Sequence, residues 1–537
     1  MFSPFHKRDT YTPINFSNSQ VFPLLFLLAV WPPLCYTSTM KIILSTLNSR
    51  YTHSAIGLRY LYANMQELQN DTHILEFTIN EAIQGIAEKI LDQEPDILGL
   101  GVYIWNVDKI AELIHILKKV APKLIIVLGG PEVSYLPFRV NLDAADYIIQ
   151  GEGDKAFYEL CKKIANDAPV ERITPISLPD LKSIKLPYEY YSDHDIQNRY
   201  IYVEISRGCP FECEFCLSSM DEKVRAFDLE VVLEEFEKLW ERGARNFKFV
   251  DRTFNLNMKA ANMVLDFFLS KEPPYFAHFE VIPDHFPKSL REKIKSFPHG
   301  ALQLEIGIQT LNPEIANNIA RQLKLDKIEE NITFLENETT AHIHLDLIVG
   351  LPGESLESFG KNLDELMRLS SCEIQIGILK KLSGTHIKRH DETFSMVYSD
   401  IPPYDILQNT HLSFKDIQIM KRFARFWDIY YNSGNFKRSL KLLWEGESVY
   451  ENFYAFSLWI YEQTDATHKI SLQRQAELLF NYLATRKLRN KADVAKAMIP
   501  DILKLKGRAL PAYLKPFAND VEVASKLGTS GFNKRQN

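Results

Sequence analysis

Three thiols within eight residues carry the first chemical signal in this chain. In RGCPFECEFC, Arg207 to Cys216, the cysteines stand at Cys209, Cys213 and Cys216, a C-x3-C-x2-C spacing that uses half of the 6 cysteines in 537 residues. A disulfide framework pairs its cysteines and belongs to small secreted domains, not to a lone triplet in a large chain. A structural zinc site takes four ligands, and no histidine falls between Cys216 and His278 to complete one. Iron–sulfur clusters are held by thiolates on tight loops, and three ligands on a four-iron cluster leave one iron without a protein ligand. That open iron is where chemistry is expected.

The stretch follows an apolar strand, Tyr200–Ile205, and places an aromatic residue, Phe215, directly before the last cysteine. In both respects it resembles the signature of the radical S-adenosylmethionine (SAM) superfamily. The resemblance implies a [4Fe-4S] cluster on Cys209, Cys213 and Cys216 whose open iron chelates the amino and carboxylate groups of SAM. An electron then breaks the sulfur–C5′ bond, leaving methionine and a 5′-deoxyadenosyl radical that abstracts hydrogen from a substrate. It also implies an electron donor such as flavodoxin or ferredoxin, and a protected, cytoplasmic setting. The cofactor carries the hard chemistry, and the protein supplies binding, orientation and shielding.

What must position these residues is spread over several domains, because single cores rarely grow past roughly 250–300 residues. Composition is that of a globular protein, 46% hydrophobic and 24% charged. A formal net charge of −7 argues against stable nucleic-acid binding by the chain as a whole. Residues 486–537 hold 12 Lys/Arg against 4 Asp/Glu, read as a solvated surface and a basic tail. Near the amino terminus, Val21–Trp31 (VFPLLFLLAVW) resembles a signal-peptide core but is too short to span a bilayer and is broken by Pro23. Residues 1–39 are therefore expected to be a leader or an over-extended start, with no membrane association, and folding is expected to begin at Met40.

From Met40 to about residue 170, apolar runs (KIILS, HILEFT, DILGLGVY, KLIIVLGG, ADYIIQGEG) alternate with helical patterns, which predicts a doubly wound, flavodoxin-like α/β domain. Ligands of such sheets sit beyond the carboxyl ends of the strands. The residues there are Asn48–His53, Gly101 and Tyr103, Gly129, Gly130 and Glu132, and Gly151 and Gly153. This domain placed ahead of the cysteine motif resembles the cobalamin-binding radical SAM proteins, and LGGPEVSY (Leu128–Tyr135) and QGEGDKAF (Gln150–Phe157) match that pattern. The first loop departs from the cobalamin motif D-x-H-x-x-G: counting from His53, Tyr51 stands at the Asp position and Ile56 at the Gly position. Cobalamin without a histidine below the cobalt is the resulting expectation.

A linker is expected over 171–197, and then six longer strand–helix units over 198–390, the partial (β/α)6 barrel that the resemblance implies. Carried over by position, Asp251 would meet the SAM amino group and Glu280 a ribose hydroxyl, or else Glu280 forms a barrel ion pair. In LEIGIQTLNPE, Glu305 and Gln309 would serve SAM or substrate. In LDLIVGLPGES, Gly350, Pro352 and Gly353 would bring backbone close to the adenine, as would the backbone at Phe215. Cys161 and Cys372 are read as small core residues. Residues 391–537 read as a helical domain, resembling the uncharacterised C-terminal domain of some cobalamin-binding radical SAM proteins. Its aromatic stretch KRFARFWDIYY is read as core at helical spacing. Three functions are compared: cobalamin-dependent methyl transfer, which is preferred; radical oxidation or cyclisation without methyl transfer; and a non-catalytic cobalamin or cluster sensor. Methylthiolation expects more cysteines in the front domain than Cys161. The substrate is not encoded in any pattern here.

Overall fold

A computed structural model describes residues 40–220, 223–504 and 508–520, and the leader expected over 1–39 lies outside them. Six parallel strands form the first sheet: β1 (Ile42–Asn48), β2 (Thr72–Thr78), β3 (Ile97–Gly101), β4 (Ile125–Gly129), β5 (Tyr147–Gly151) and β6 (Ile173–Ser177), in the order β2-β1-β3-β4-β5-β6. Four helices cover it: α1 (Ile56–Ala63), α2 (Ile83–Leu91), α3 (Val107–Val120) and α4 (Ala156–Ala165). Every residue of β1 is buried, as the centre of a two-faced sheet demands. Ile43 and Leu47 pack with α2 and α3, whereas Ile42 and Leu44 pack with α1 and α4, so helices lie on both faces. Strand order reverses between β1 and β3, and that reversal opens a crevice at their carboxyl ends.

Residues 171–197, read from the sequence as a linker, are instead packed. They supply β6 to the first sheet and the short helix α5 (Asp193–Asn198), and they bury Leu181, Ile184, Tyr188, Tyr191 and Ile196 in the core of the following domain. The Pro and Ser residues between these positions mask a widely spaced apolar pattern.

The second sheet is also six parallel strands, now in sequential order: β7 (Ile201–Val203), β8 (Asn246–Phe249), β9 (Phe276–Val281), β10 (Leu302–Gln309), β11 (His342–Val349) and β12 (Glu373–Ile378). Helices α6 (Leu229–Glu241), α7 (Met258–Leu269), α8 (Lys288–Lys295), α9 (Pro313–Asn318), α10 (Leu325–Glu338) and α11 (Leu356–Leu369) alternate with them. This is the partial (β/α)6 barrel expected from the sequence. Helix α6 starts as expected, with the Asp228 carboxylate accepting from the Glu230 N–H at 3.2 Å, and Gly243 follows it at φ +99°. Along β10 the apolar Leu302, Leu304, Ile306 and Ile308 are buried beneath the helices. The alternate Gln303, Glu305, Gly307 and Gln309 turn to the barrel interior.

Residues beyond 391 form α12 (Phe414–Trp427), α13 (Val449–Thr464), α14 (Leu472–Thr485) and α15 (Lys491–Leu503), which share one continuous core with the half-barrel. Phe423, Phe426, Trp427 and Tyr430 are buried in that core, in keeping with their helical spacing. An open half-barrel leaves an edge at β12 with unpaired backbone groups. Asn432 covers part of it: its side chain accepts from the Ile374 N–H at 3.0 Å and donates to the Ile374 carbonyl at 2.9 Å. Among the described residues no helix is long and apolar enough to cross a membrane.

Candidate active site

Just after β7, Ser206 and Arg207 pair antiparallel with Ala226 and Arg225, which closes the base of the cysteine loop. Gly208 opens the loop at φ +89°. Within it the Cys216 N–H donates to the Cys213 carbonyl at 2.9 Å, and the Ser219 hydroxyl donates to the Cys216 carbonyl at 2.6 Å. Glu214 fixes the loop from outside. Its N–H donates to the Ile319 carbonyl, and its own carbonyl accepts from the Ile387 N–H. Its buried carboxylate accepts from Arg389 Nε at 2.8 Å and meets His390 Nε2 at 2.8 Å.

The three thiols are free; Cys209 and Cys213 are buried and Cys216 is half-buried. Burial raises the Cys209 and Cys213 thiols, and the neighbouring thiols add to this, while the Arg321 guanidinium, 3.6 Å from Cys213 Sγ, acts in the opposite direction. The sulfurs are not drawn to the spacing of ligands on one ion. Among the described residues the group of metal-ligating atoms lying within 4.8 Å of one another is elsewhere, at His342, His344 and Glu373. Three free thiols on one loop, not all within single-ion spacing of one another and with a cation beside one of them, fit a polynuclear iron–sulfur cluster.

Around the loop the expected SAM residues take varied positions. Phe215 packs half-buried against the core. Asp251 is buried, and its oxygens accept from the Ile205 N–H at 3.0 Å and the Ser206 hydroxyl at 2.5 Å, so it braces the chain entering the cysteine loop. Burial pushes its carboxyl up to about 7. Glu280 accepts from Arg252 Nη1 at 2.8 Å. Glu305 meets His278 Nε2 at 2.8 Å; burial works against its charge, yet the His278 hydrogen bond and nearby Lys248 hold it at about 2. Gln309 sits at φ +70° beside a register shift at the end of β10, a geometry that re-aims a side chain at a strand terminus. Gly350 and Gly353 have φ of +92° and +88°, and the Pro352 carbonyl accepts from Asn318 Nδ2 at 2.8 Å.

At the front sheet, Asn106 spans the crevice between β1 and β3, donating to Thr46 Oγ1, the Leu47 carbonyl and the Gly101 carbonyl. Tyr103 stacks on Trp105 with ring centres 4.5 Å apart. A Cβ at Gly129 would make an ordinary contact, 3.8 Å from the Ile149 carbonyl, whereas Gly130 at φ +114° leaves no room for one beside the Val102 carbonyl. Ser134 joins the next two loops, donating to the Gly130 carbonyl and accepting from the Gly151 N–H. Glu132 accepts from the Tyr404 hydroxyl at 3.0 Å, and Gly153 lies near Leu61. Tyr51, Trp105 and Leu136, on the loops after β1, β3 and β4, and Phe211 of the cysteine loop are large apolar side chains exposed to solvent. Exposed apolar side chains on the loops beyond the strand ends fit a large, flat cofactor such as a corrinoid. His53 turns toward the barrel, with Nδ1 2.6 Å from the Tyr202 hydroxyl.

Arg207, quoted in the motif but given no role by the sequence, joins the two halves of the site. It donates from Nη1 to Glu152 at 2.8 Å, to both Asp154 oxygens at 2.9 and 3.0 Å, and from Nε to Glu204 at 3.0 Å, while stacking on Tyr60. Thus the loop after β5 is clamped to the root of the cysteine loop. Asp346 was also missed. It is half-buried inside the barrel with Oδ1 unpartnered, and desolvation together with the Glu305 and Glu280 charges pushes it well above the carboxylate range. The signal for such residues was present as polar alternation in HIHLDLIV.

Comparison with known proteins finds three domain matches along the chain. The family described as "B12 binding domain" matches residues 42–161, "Radical SAM superfamily" matches 203–366, and "Protein of unknown function (DUF4080)" matches 392–528. An uncharacterized methyltransferase of Pyrococcus horikoshii is 24% identical over 399 residues, 67% of this chain and 82% of that protein. The cobalamin-dependent radical SAM methyltransferase TokK of Streptomyces tokunonensis is 24% identical over 339 residues, 55% of this chain. The chain spans only 47–50% of the length of TokK and of two other curated relatives. The solved structure of the cobalamin-dependent SAM radical enzyme OxsB, with aqua-cobalamin and SAM bound, aligns over 90% of this chain and 84% of its own at TM-score 0.60 and 13% identity, a likeness of fold. The chain thus carries a B12-binding domain, a radical SAM domain and a DUF4080 domain, in that order.

Proposed function

We propose that this enzyme performs cobalamin-dependent methyl transfer to a substrate that it activates by hydrogen abstraction. The observation that carries this reading is the clamp of Arg207 on Glu152 and Asp154, which fastens the glycine-rich edge of the B12-binding domain beside the cysteine loop. When bound, the cluster and SAM supply one-electron cleavage of a carbon–sulfur bond, and cobalamin carries the methyl group. Cys209, Cys213 and Cys216 hold the cluster, with Arg321 offsetting thiolate charge at Cys213. Asp251 holds Ile205 and Ser206 in place so that the loop keeps its shape. Glu305 and Gln309 face the barrel interior, where they orient SAM or substrate, and Gly350, Pro352 and Gly353 present backbone to the adenine. Gly101, Gly129 and Gly130 present backbone at the strand ends where the corrin would lie, and His53, bound to Tyr202, is not used as a cobalt ligand. The electron comes from a flavodoxin or ferredoxin. The names of the methyltransferase relatives support the transfer step.

The test is anaerobic reconstitution of the full chain with iron, sulfide and hydroxocobalamin, followed by desalting and quantification of corrinoid, iron and 5′-deoxyadenosine formed on reduction with SAM. About one corrinoid per chain with 5′-deoxyadenosine formed is the expected result. An intact cluster with corrinoid near zero overturns methyl transfer in favour of plain hydrogen-abstraction chemistry. Absence of 5′-deoxyadenosine from cluster-loaded wild type overturns the radical reading. Cys213→Ala should lose the cluster and SAM cleavage together.

A further inference from the structure

At the amino-terminal end of the half-barrel, two neighbouring strands bring three ligand side chains to one point. His342 opens β11, and His344, two residues on, faces the same way because side chains alternate along a strand. Glu373 opens β12 and is the register partner of His344. Glu373 Oε1 lies 3.2 Å from His342 Nε2 and Oε2 lies 3.1 Å from His344 Nε2, and the two rings meet edge to face at 4.7 Å. Among the described residues this group meets the spacing of ligands on a single ion.

Around a zinc ion with bonds of about 2.0–2.1 Å, tetrahedral ligand atoms stand about 3.3 Å apart. The two nitrogen-to-carboxylate edges need open by only a few tenths of an ångström. Both imidazoles turn Nε2 to the one Glu373 carboxylate, and the Gln303 amide nitrogen lies beside the His344 ring, 3.4 Å from Nδ1 and 3.5 Å from Nε2. Of the interior carboxylates, Glu305 lies near enough to His344 for their charges to interact. The three side chains are 26%, 13% and 18% exposed, sheltered yet reachable by an ion from solvent. Two imidazoles and a carboxylate suit a borderline divalent metal. From His342 to Gly350 is eight residues of extended chain, about 26 Å at roughly 3.3 Å per residue, so this group and the SAM-facing loops occupy opposite ends of β11.

We propose that His342, His344 and Glu373 form a second metal site, for a divalent ion of the zinc class, that ties the edge strand β12 to β11. Three protein ligands leave a fourth position to water. The site is independent of the reaction proposed above.

The test counts metals. Full chain carrying its reconstituted cluster is incubated with zinc chloride and desalted, and zinc and iron are measured together. About one zinc per chain with iron unchanged is expected for wild type, falling below about 0.1 in His344→Ala and Glu373→Gln with iron still unchanged. A second measurement uses wild type alone: zinc should slow carbethoxylation of His342 and His344, read by peptide mass, at least tenfold. Wild type that retains less than about 0.1 zinc, zinc retained by both variants, or unprotected histidines would each overturn the site and leave an ion-paired cluster only.

Discussion

Replacing Glu354 by glutamine tests how the loop after β11 is held. Glu354 is 1% exposed; Oε1 accepts from Asn362 Nδ2 at 3.0 Å and from the Thr310 hydroxyl at 3.3 Å, while Oε2 has no hydrogen-bond partner. Burial outweighs these bonds and pushes the carboxyl from 4.5 up to about 8. Between those values the folded protein keeps a proton that the unfolded chain has released. Stability therefore falls as pH rises through that window and is level on either side of it. Each pH unit is worth about 1.4 kcal/mol, so the full window approaches about 5 kcal/mol as a ceiling. Glutamine resembles the protonated acid and has no proton to lose. The stability of Glu354→Gln relative to wild type should thus rise by about 2.7 kcal/mol between pH 5.5 and 7.5. Urea unfolding at pH 5.5, 6.5 and 7.5, with both proteins in the same cluster state, measures it. A difference that does not change with pH would refute the reasoning, because it would mean that Glu354 is ionised in the fold.

Arg207→Met leaves Glu152, Asp154 and Glu204 without their shared cation and should cost about 3–5 kcal/mol in urea unfolding, with corrinoid retention lost as the β5 loop is released. Gly350→Ala places a Cβ 2.7 Å from Ile406 Cγ2 at a φ of +92°, and a calorimetric scan should show destabilisation of about 1–3 kcal/mol or more. Asn432→Ala strips the Ile374 N–H and carbonyl of their partners, about 1–3 kcal/mol, and hydrogen exchange at the Ile374 amide should accelerate well beyond that of the β11 amides.

The cysteine triplet, the alternation of apolar strands with helices and the glycine-rich turns are local, so the chain order of front domain, half-barrel and helical tail was legible from residues alone. Asp228 and Gly243 bounded α6 by rules that act within a few residues. The packing of 171–197 was not legible, since its buried tyrosines find partners in and just after β7 and, for Tyr188, on Phe236 of α6 in the next domain. Nor was Arg207 as a clamp, because its partners Glu152 and Asp154 stand more than 50 residues away and only the docking of one domain on the other brings them together. The same holds for His342, His344 and Glu373. By itself the sequence determined which chemistry the cysteines support and which elements carry it. The tertiary structure alone decided which carboxylates are buried, which loops are locked together and which side chains meet, because charge and hydrogen bonding depend on neighbours that strand register and domain docking supply.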